Sequence, residues 1–134
     1  QNILQKKAFT VNIPFSDQAE KADFYGIASG RDCSKFKMTD ISPVHSELVD
    51  APYGREFPVI AECKLVHQFE LGLHTQFVGE ICDIKVDHHL FDEDEKIVAE
   101  RLDPIFFIPM LREYYAKGKF LGKGFSIGKS FLDA

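Results

Sequence analysis

Between Glu62 and Asp87 the chain alternates apolar and polar positions over two long runs that meet at Leu71-Gly72-Leu73. Cys63, Leu65, His67, Phe69 and Leu71 fall on one side and Glu62, Lys64, Gln68 and Glu70 on the other, with Val66 breaking the pattern. A period of two marks a β-strand with one buried and one wetter face. In the second run Phe77, Gly79 and Ile81 share a face, whereas Cys82, Ile84 and Val86 take the opposite one. A change of face within one strand predicts a bulge, or burial on both sides. The stretch reads as a long, bent antiparallel hairpin, and such strands are what a small closed barrel needs.

Shorter elements flank the hairpin. Residues 1–7 read as the end of a helix, and Ala8–Ile13 as a strand closed by Pro14, which has no N–H to continue a ladder. Asp17 and Glu20 have the spacing of a capping box, predicting a helix to about Ser29 with Gly30 as its stop. Its predicted buried face is made of small residues, Ala19, Ala22 and Gly26, beside Phe24 and Ile27. Residues 31–56 predict mostly irregular chain, with Pro43 and Pro52 punctuating short extended pieces. The acidic passage 88–103 reads as a solvated loop with a short helical turn, and 104–109 (PIFFIP) as a short apolar strand. After Glu113-Tyr-Tyr-Ala comes a glycine-punctuated tail, GKFLGKGFSIGK. With no internal repeat and no linker, residues 1–134 form one mainly β domain with one or two helices.

Composition narrows the picture. A chain of 134 residues is long enough for one domain with its own core, and thirteen Phe with no Trp make that core rich in flat rings. The formal net charge of −5 argues against a nucleic-acid binder, because phosphate contacts need clustered Lys and Arg. No apolar run reaches the length of a membrane span, and QNILQKK is not a signal peptide. The three cysteines, Cys33, Cys63 and Cys82, read as reduced thiols of a cytoplasmic protein, in preference to a Cys63–Cys82 disulfide across the hairpin. Without a CxxC pair a structural zinc site has no support. The chain begins with Gln and has no capping residue ahead of Ile3 and Leu4, so the expectation is that its natural N-terminus is missing, cleaved or unseen.

Five stretches taken in order carry a resemblance: FTVNIP (9–14), ASGRDCSKF (28–36), ELVDAP (47–52), ELGLHTQFVGEI (70–81) and YYAKGKFLGKGFSIGK (114–129). Together they resemble the flavin reductase-like family with the FMN-binding split barrel, particularly its flavoredoxin branch. The resemblance implies a Greek-key split barrel with peripheral helices, noncovalent FMN, and a homodimer with the flavin at its interface. It also implies electron transfer, with NADH or NADPH as donor and free flavin, a ferric chelate or a redox protein as acceptor. Family members carry an opening portion, including an Arg/Lys-Thr region for the FMN phosphate, ahead of the helix that QNILQKK would finish. Without it, barrel closure and phosphate binding come into question.

Four residues are candidates for the cofactor, Lys35, His74 and Phe107 as the resemblance implies and Asn12 from its place at a strand end, and each has a plainer reading. Lys35 would approach FMN, where a fixed ammonium can stabilise negative charge on the reduced ring; otherwise it is a surface lysine like Lys37. His74, just past the hairpin turn, would hydrogen-bond the ring or phosphate, against the alternative of a half-buried turn histidine. Phe107 would pack on the isoalloxazine unless it is simply core, and Phe106 would serve as well if the register is off by one. Asn12 could satisfy cofactor amide groups, although a strand-end Asn bonding its own turn is the favoured reading.

Other motifs carry less. His88-His89 with Asp87 and Asp92 suggests a metal, but neighbours on an extended chain point to opposite sides and rarely share one ion. The glycines of GKFLGKGFSIGK lack the strand-to-helix setting and the GK[ST] ending of a phosphate loop. No nucleophile–base pair is visible, which agrees with a flavin protein and disfavours a hydrolase. Lys35 and His74 would then anchor or tune the flavin, with the cofactor performing the redox step.

Overall fold

The computed structural model of the protein describes residues 2–132. Strand β1 (Ala8–Ile13) lies antiparallel along β4 (Val59–Leu71), which turns back into β5 (His74–Val86), giving one sheet in the order β1-β4-β5. Two short hairpins form separate sheets: β2 (Pro43–His45) with β3 (Pro52–Gly54), and β6 (Phe106–Ile108) with β7 (Glu113–Tyr115). The sheets do not join into a ring, so the closure that the bent strands suggested is not reached among the described residues. Helices α1 (Asn2–Lys6), α2 (Ala19–Ile27) and α3 (Lys35–Met38) lie around the sheets. No helix among the described residues is long and apolar enough to cross a membrane.

The long hairpin contains two bulges, one on each strand. Pairing runs from Leu65↔Gly79 to His67↔Val78, which leaves Val66 without a partner, and from Glu62↔Asp83 to Cys63↔Ile81, which leaves out Cys82. These are the two places where the alternation of the sequence breaks. At Cys82 the surplus residue reverses the faces, so Phe77, Gly79 and Ile81 come to share a side with Ile84 and Val86, whereas at Val66 the reversal puts Phe69 and Leu71 on the side opposite Cys63 and Leu65. Gly72 makes the turn at φ +63°, a conformation that a residue with a Cβ adopts only at a cost. At Gly79 the need is space: an added Cβ would lie 2.5 Å from Phe9 Cζ, because the Phe9 ring covers β5 there.

Burial is concentrated at the base of the hairpin. Ala8, Val49 and Ala51 pack together with Cys82 against them, and Phe15, Ile41, Ile60, Cys63 and Leu90 are buried elsewhere around the base. Beyond Leu65 the hairpin projects as an arm, with Val66, Phe69, Leu71 and Leu73 all half or more exposed. The alternation therefore predicts too dry a face for the far half of β4 and too wet a face for its near half. Glu62, expected on the wetter side, is fully buried, because both faces of the sheet are covered at that level.

Helix α2 also departs from expectation. A 3-10 turn at Ser16–Gln18 precedes it, and the cap is the buried Gln18 in place of the Asp17–Glu20 pair. Gln18 Oε1 accepts the Phe15 N–H at 3.1 Å, while its Nε2 donates to the Glu56 carbonyl at 2.7 Å. The helix ends where the Ala28 N–H bonds the Phe24 carbonyl at 3.0 Å, before Gly30 is reached. No α2 side chain is fully buried, and Gly26 and Ile27 point outward; the half-buried side holds Ala19, Ala22, Phe24 and Tyr25.

Candidate cofactor site

Four segments distant in sequence meet in an aromatic cleft of about 260 Å³. Tyr25 of α2, Phe36 of α3, Tyr53 of β3 and Phe57 form its rings, with Asn12, Pro14, Pro52 and Gly54 between them. Tyr25 and Phe36 meet edge to face, 6.0 Å between centroids at 74°, the arrangement that ring quadrupoles prefer. No charged side chain lines this cleft.

Lys35 opens α3 beside it. Its Nζ donates to the Tyr25 carbonyl at 2.6 Å and stands 5.7 Å from the centre of the Tyr25 ring. Tyr25 lies in the last turn of α2, where carbonyls have no partner within the helix, so the ammonium fills an orphan acceptor at the negative end of the helix dipole. Asn12 is committed at both ends of its amide. Oδ1 accepts the Gly54 N–H at 2.9 Å, and Nδ2 lies 3.2 Å from the Thr10 hydroxyl, which itself donates to the Pro52 carbonyl at 2.6 Å. These bonds tie β1 to β3.

Phe107 sits on β6, half exposed, with its ring 4.9 Å from that of Tyr114. The Tyr114 hydroxyl donates to Asp23 Oδ1 on α2 at 3.2 Å, and its phenol is pushed up by burial and by that carboxylate. The approach to β6 is fixed by the chain before it: the Ser16 N–H bonds the Asp103 carbonyl at 3.1 Å, and the Ile105 N–H bonds the Pro14 carbonyl at 3.3 Å. Phe106, one residue earlier, pairs with Tyr115 in place of Tyr114.

His74 lies elsewhere. It pairs with Leu71 at the exposed tip of the arm, whereas Asn12 pairs with Ile60 at the base. From Ile60 to Leu71 the strand advances about 36 Å at ~3.3 Å per residue. One chain thus brings Lys35, Phe107 and Asn12 around α2 and carries His74 to the far end of the hairpin. Tyr25, Phe36, Tyr53 and Phe57 carried no sequence signal, because only the tertiary fold gathers them.

A second polar cluster lies under the sheet. The Glu62 carboxylate is 3.1 Å from Lys85 Nζ and accepts the Leu48 N–H at 3.4 Å, and Lys85 also meets Asp83 at 2.8 Å. Burial alone would push Glu62 up, but the Ser46 hydroxyl, Lys85 and the Leu48 amide together hold it below the ordinary glutamate value. Its Oε1 has the lysine charge nearby but no well-directed hydrogen bond. Asp83 first, then Glu62, raise Lys85 above its ordinary value. Cys63, pushed up by burial and then by the Cys82 thiol, is a free thiol like Cys33 and Cys82. At the loop, His89 Nδ1 lies 2.9 Å from Asp87 Oδ1, and no set of three or more His, Cys, Asp or Glu among the described residues is placed to hold a metal.

The residues fit a flat cofactor in part. Aromatic walls and a neighbouring ammonium suit a ring such as that of FMN, but whole small-molecule sites span roughly 300–1,000 Å³, more than this cleft provides. No lining cation is available there for a phosphate.

A sequence profile for the flavin reductase like domain matches residues 1–116. Flavoredoxin of Desulfovibrio vulgaris (Miyazaki F) is 47% identical; the match covers 95% of this chain and 68% of that one, with a TM-score of 0.86. A split-barrel protein of Shewanella frigidimarina NCIMB 400 is 28% identical over 93% of this chain and 64% of its own, with a TM-score of 0.74. The fold is accordingly a mainly β split barrel whose sheets stay unclosed here. An uncharacterized protein of Aquifex aeolicus is 31% identical over 106 residues, 78% of this chain and 54% of that protein. The chain spans about half the length of the curated relatives it matches.

Proposed function

Because this chain belongs to the flavin reductase-like domain family, we propose that it is a flavin-binding redox protein that holds FMN noncovalently in a homodimer. In this reading Lys35 and Phe107 of one copy meet the flavin ring, and His74 reaches it from the arm of the second copy. The carrying observation is the role of α2: it anchors Lys35 through the Tyr25 carbonyl and Phe107 through the Tyr114–Asp23 bond. The length of the exposed arm supports the second half of the reading, since His74 cannot meet Lys35 within one chain without leaving its strand.

The bound flavin would supply the two-electron chemistry. The chain's own part is binding and tuning. The Lys35 ammonium favours negative charge on the reduced ring, the Phe107 ring excludes water from one face, and Asn12 keeps β1 and β3 in place at the edge of the cleft. We further propose NADH or NADPH as the electron donor and free flavin or a redox protein as the acceptor. The likeness to a flavoredoxin favours a second reading, a carrier that exchanges electrons with protein partners and reacts slowly with pyridine nucleotides.

Titration with FMN, followed by anaerobic addition of NADH or NADPH, separates these. Uptake of FMN with prompt bleaching of the visible band supports the reductase. FMN uptake with reduction only by a partner protein supports the carrier. A protein that takes up neither FMN nor FAD overturns both.

A further inference from the structure

We propose that residues 117–132 form a docking segment that lies on the β4–β5 arm of a second copy of this chain. Six large apolar side chains of this stretch, Phe120, Leu121, Phe125, Ile127, Phe131 and Leu132, are each more than three-fifths exposed, and Phe125 is fully so. Their own chain gives them almost nothing to hold. Among the described residues one bond joins the stretch to the body, from Lys117 Nζ to the Ala99 carbonyl at 2.6 Å, and the remaining backbone bonds are local. So much apolar surface on one strand of chain marks a contact surface.

Area, charge and position point to the same occupant. At ~150–200 Å² per large side chain the six offer on the order of 800 Å², the share of one partner in a standard interface. The segment carries Lys117, Lys119, Lys123 and Lys129 and no acidic residue up to Leu132. Setting those four charges aside from the formal total of −5 leaves the rest of the chain at −9, so a second copy attracts the segment electrostatically as well. The arm offers the matching apolar surface in Val66, Phe69, Leu71 and Leu73, with the carboxylate of Glu70 among them. Position agrees with this. The segment leaves the body just after Tyr114 and Tyr115, beside Phe107 and α2, where the partner's arm tip must arrive if its His74 meets Lys35. The inference rests on that paired arrangement but not on the flavin.

Hydrogen exchange of the amides in 118–131, read on the full chain at high and low protein concentration, tests it directly. Slowing by about tenfold or more only where the chain is paired is the expected result. Exchange at free-chain rates in the dimer, or equal protection in a monomer, overturns it. The double variant Phe120→Glu with Phe125→Glu should weaken pairing about thirtyfold while the monomer keeps its circular dichroism. Unchanged pairing overturns the proposal. So does protection that appears only on vesicles of phosphatidylserine and phosphatidylcholine, which would make the partner an anionic membrane. Visible spectra of the same samples keep the two readings apart: a colourless dimer with a protected segment removes the flavin, and a yellow dimer with a free segment removes this docking.

Discussion

Glu62 and Lys85 face each other at the base of the hairpin, Oε1 and Nζ 3.1 Å apart, with the glutamate sealed from solvent and the lysine side chain 31% exposed. Removing the lysine alone strands a charge in the core. Breaking a buried pair costs ~3–5 kcal/mol, and partial exposure of the lysine lowers that to about 2–3 kcal/mol for Lys85→Met. Urea denaturation should show this loss, and most of it should return in the double variant Glu62→Leu, Lys85→Met. Wild-type stability in the single variant would remove the pair from the account of the fold.

The same carboxylate sets a response to acid. Its folded value lies below the ordinary 4.5, so the unfolded chain takes up protons first as the pH falls. The stability contributed by Glu62 is complete above about pH 4.5 and is lost as the pH drops through the folded value. Lys85 has the opposite sign: its contribution is whole below 10.5 and fades only in stronger base. Urea midpoints measured at several acidic pH values should fall below about 4.5, and Glu62→Gln should flatten that fall.

Gly79→Ala places a methyl group 2.5 Å from Phe9 Cζ and 3.0 Å from Cys63 Cβ. The neighbours are a ring and a strand, so the expected cost is about 1–3 kcal/mol. Adding Phe9→Leu should restore part of the melting temperature. If the single variant melts like the wild type, the close approach of Phe9 is wrong.

Asn12→Ala leaves the Gly54 N–H, in the buried part of β3, without its acceptor. About 1–2 kcal/mol of stability should go, seen as a lower urea midpoint. Flavin affinity of the folded protein should move less than it does on changing Lys35. A large loss of affinity with stability intact would make Asn12 a direct contact.

Lys35→Met should weaken FMN binding about tenfold and lower the two-electron potential of the bound flavin by roughly 30 mV. Fluorescence titration and spectroelectrochemistry read the two effects separately. Equal affinity and equal potential would place the ammonium away from the ring.

Much of this was legible along the chain because it depended on local chemistry. The end of β1 follows from Pro14, the hairpin from Gly72, and the bulge of β5 from the change of face at Cys82, whereas the bulge at Val66 showed only as a single break in an alternation that resumes in the same phase. What the pattern could not reveal was set by packing between distant segments. Glu62 is buried because the loop at Ser46–Val49 covers the sheet from outside, and alternation within a strand carries no record of that. Gln18 sits at the start of α2 and closes the turn before it by accepting the Phe15 N–H, because Glu56, far along the chain, holds its amide in position. The cleft drew its four rings from three segments and part of its remaining lining from β1, so no spacing announced it. His74 was legible as a turn residue, but its distance from Lys35 follows from the length and register of the arm.

The hold of Lys35 on the last turn of α2 gives the helix a stake in whatever arrives nearby. Any anion that draws the ammonium toward itself takes it from the Tyr25 carbonyl, and no other donor bonds that oxygen among the described residues. Arrival of the guest and fraying of the helix end would then be a single event, and the loosened turn, with its tyrosine ring, becomes the part of the molecule that reports whether anything is bound.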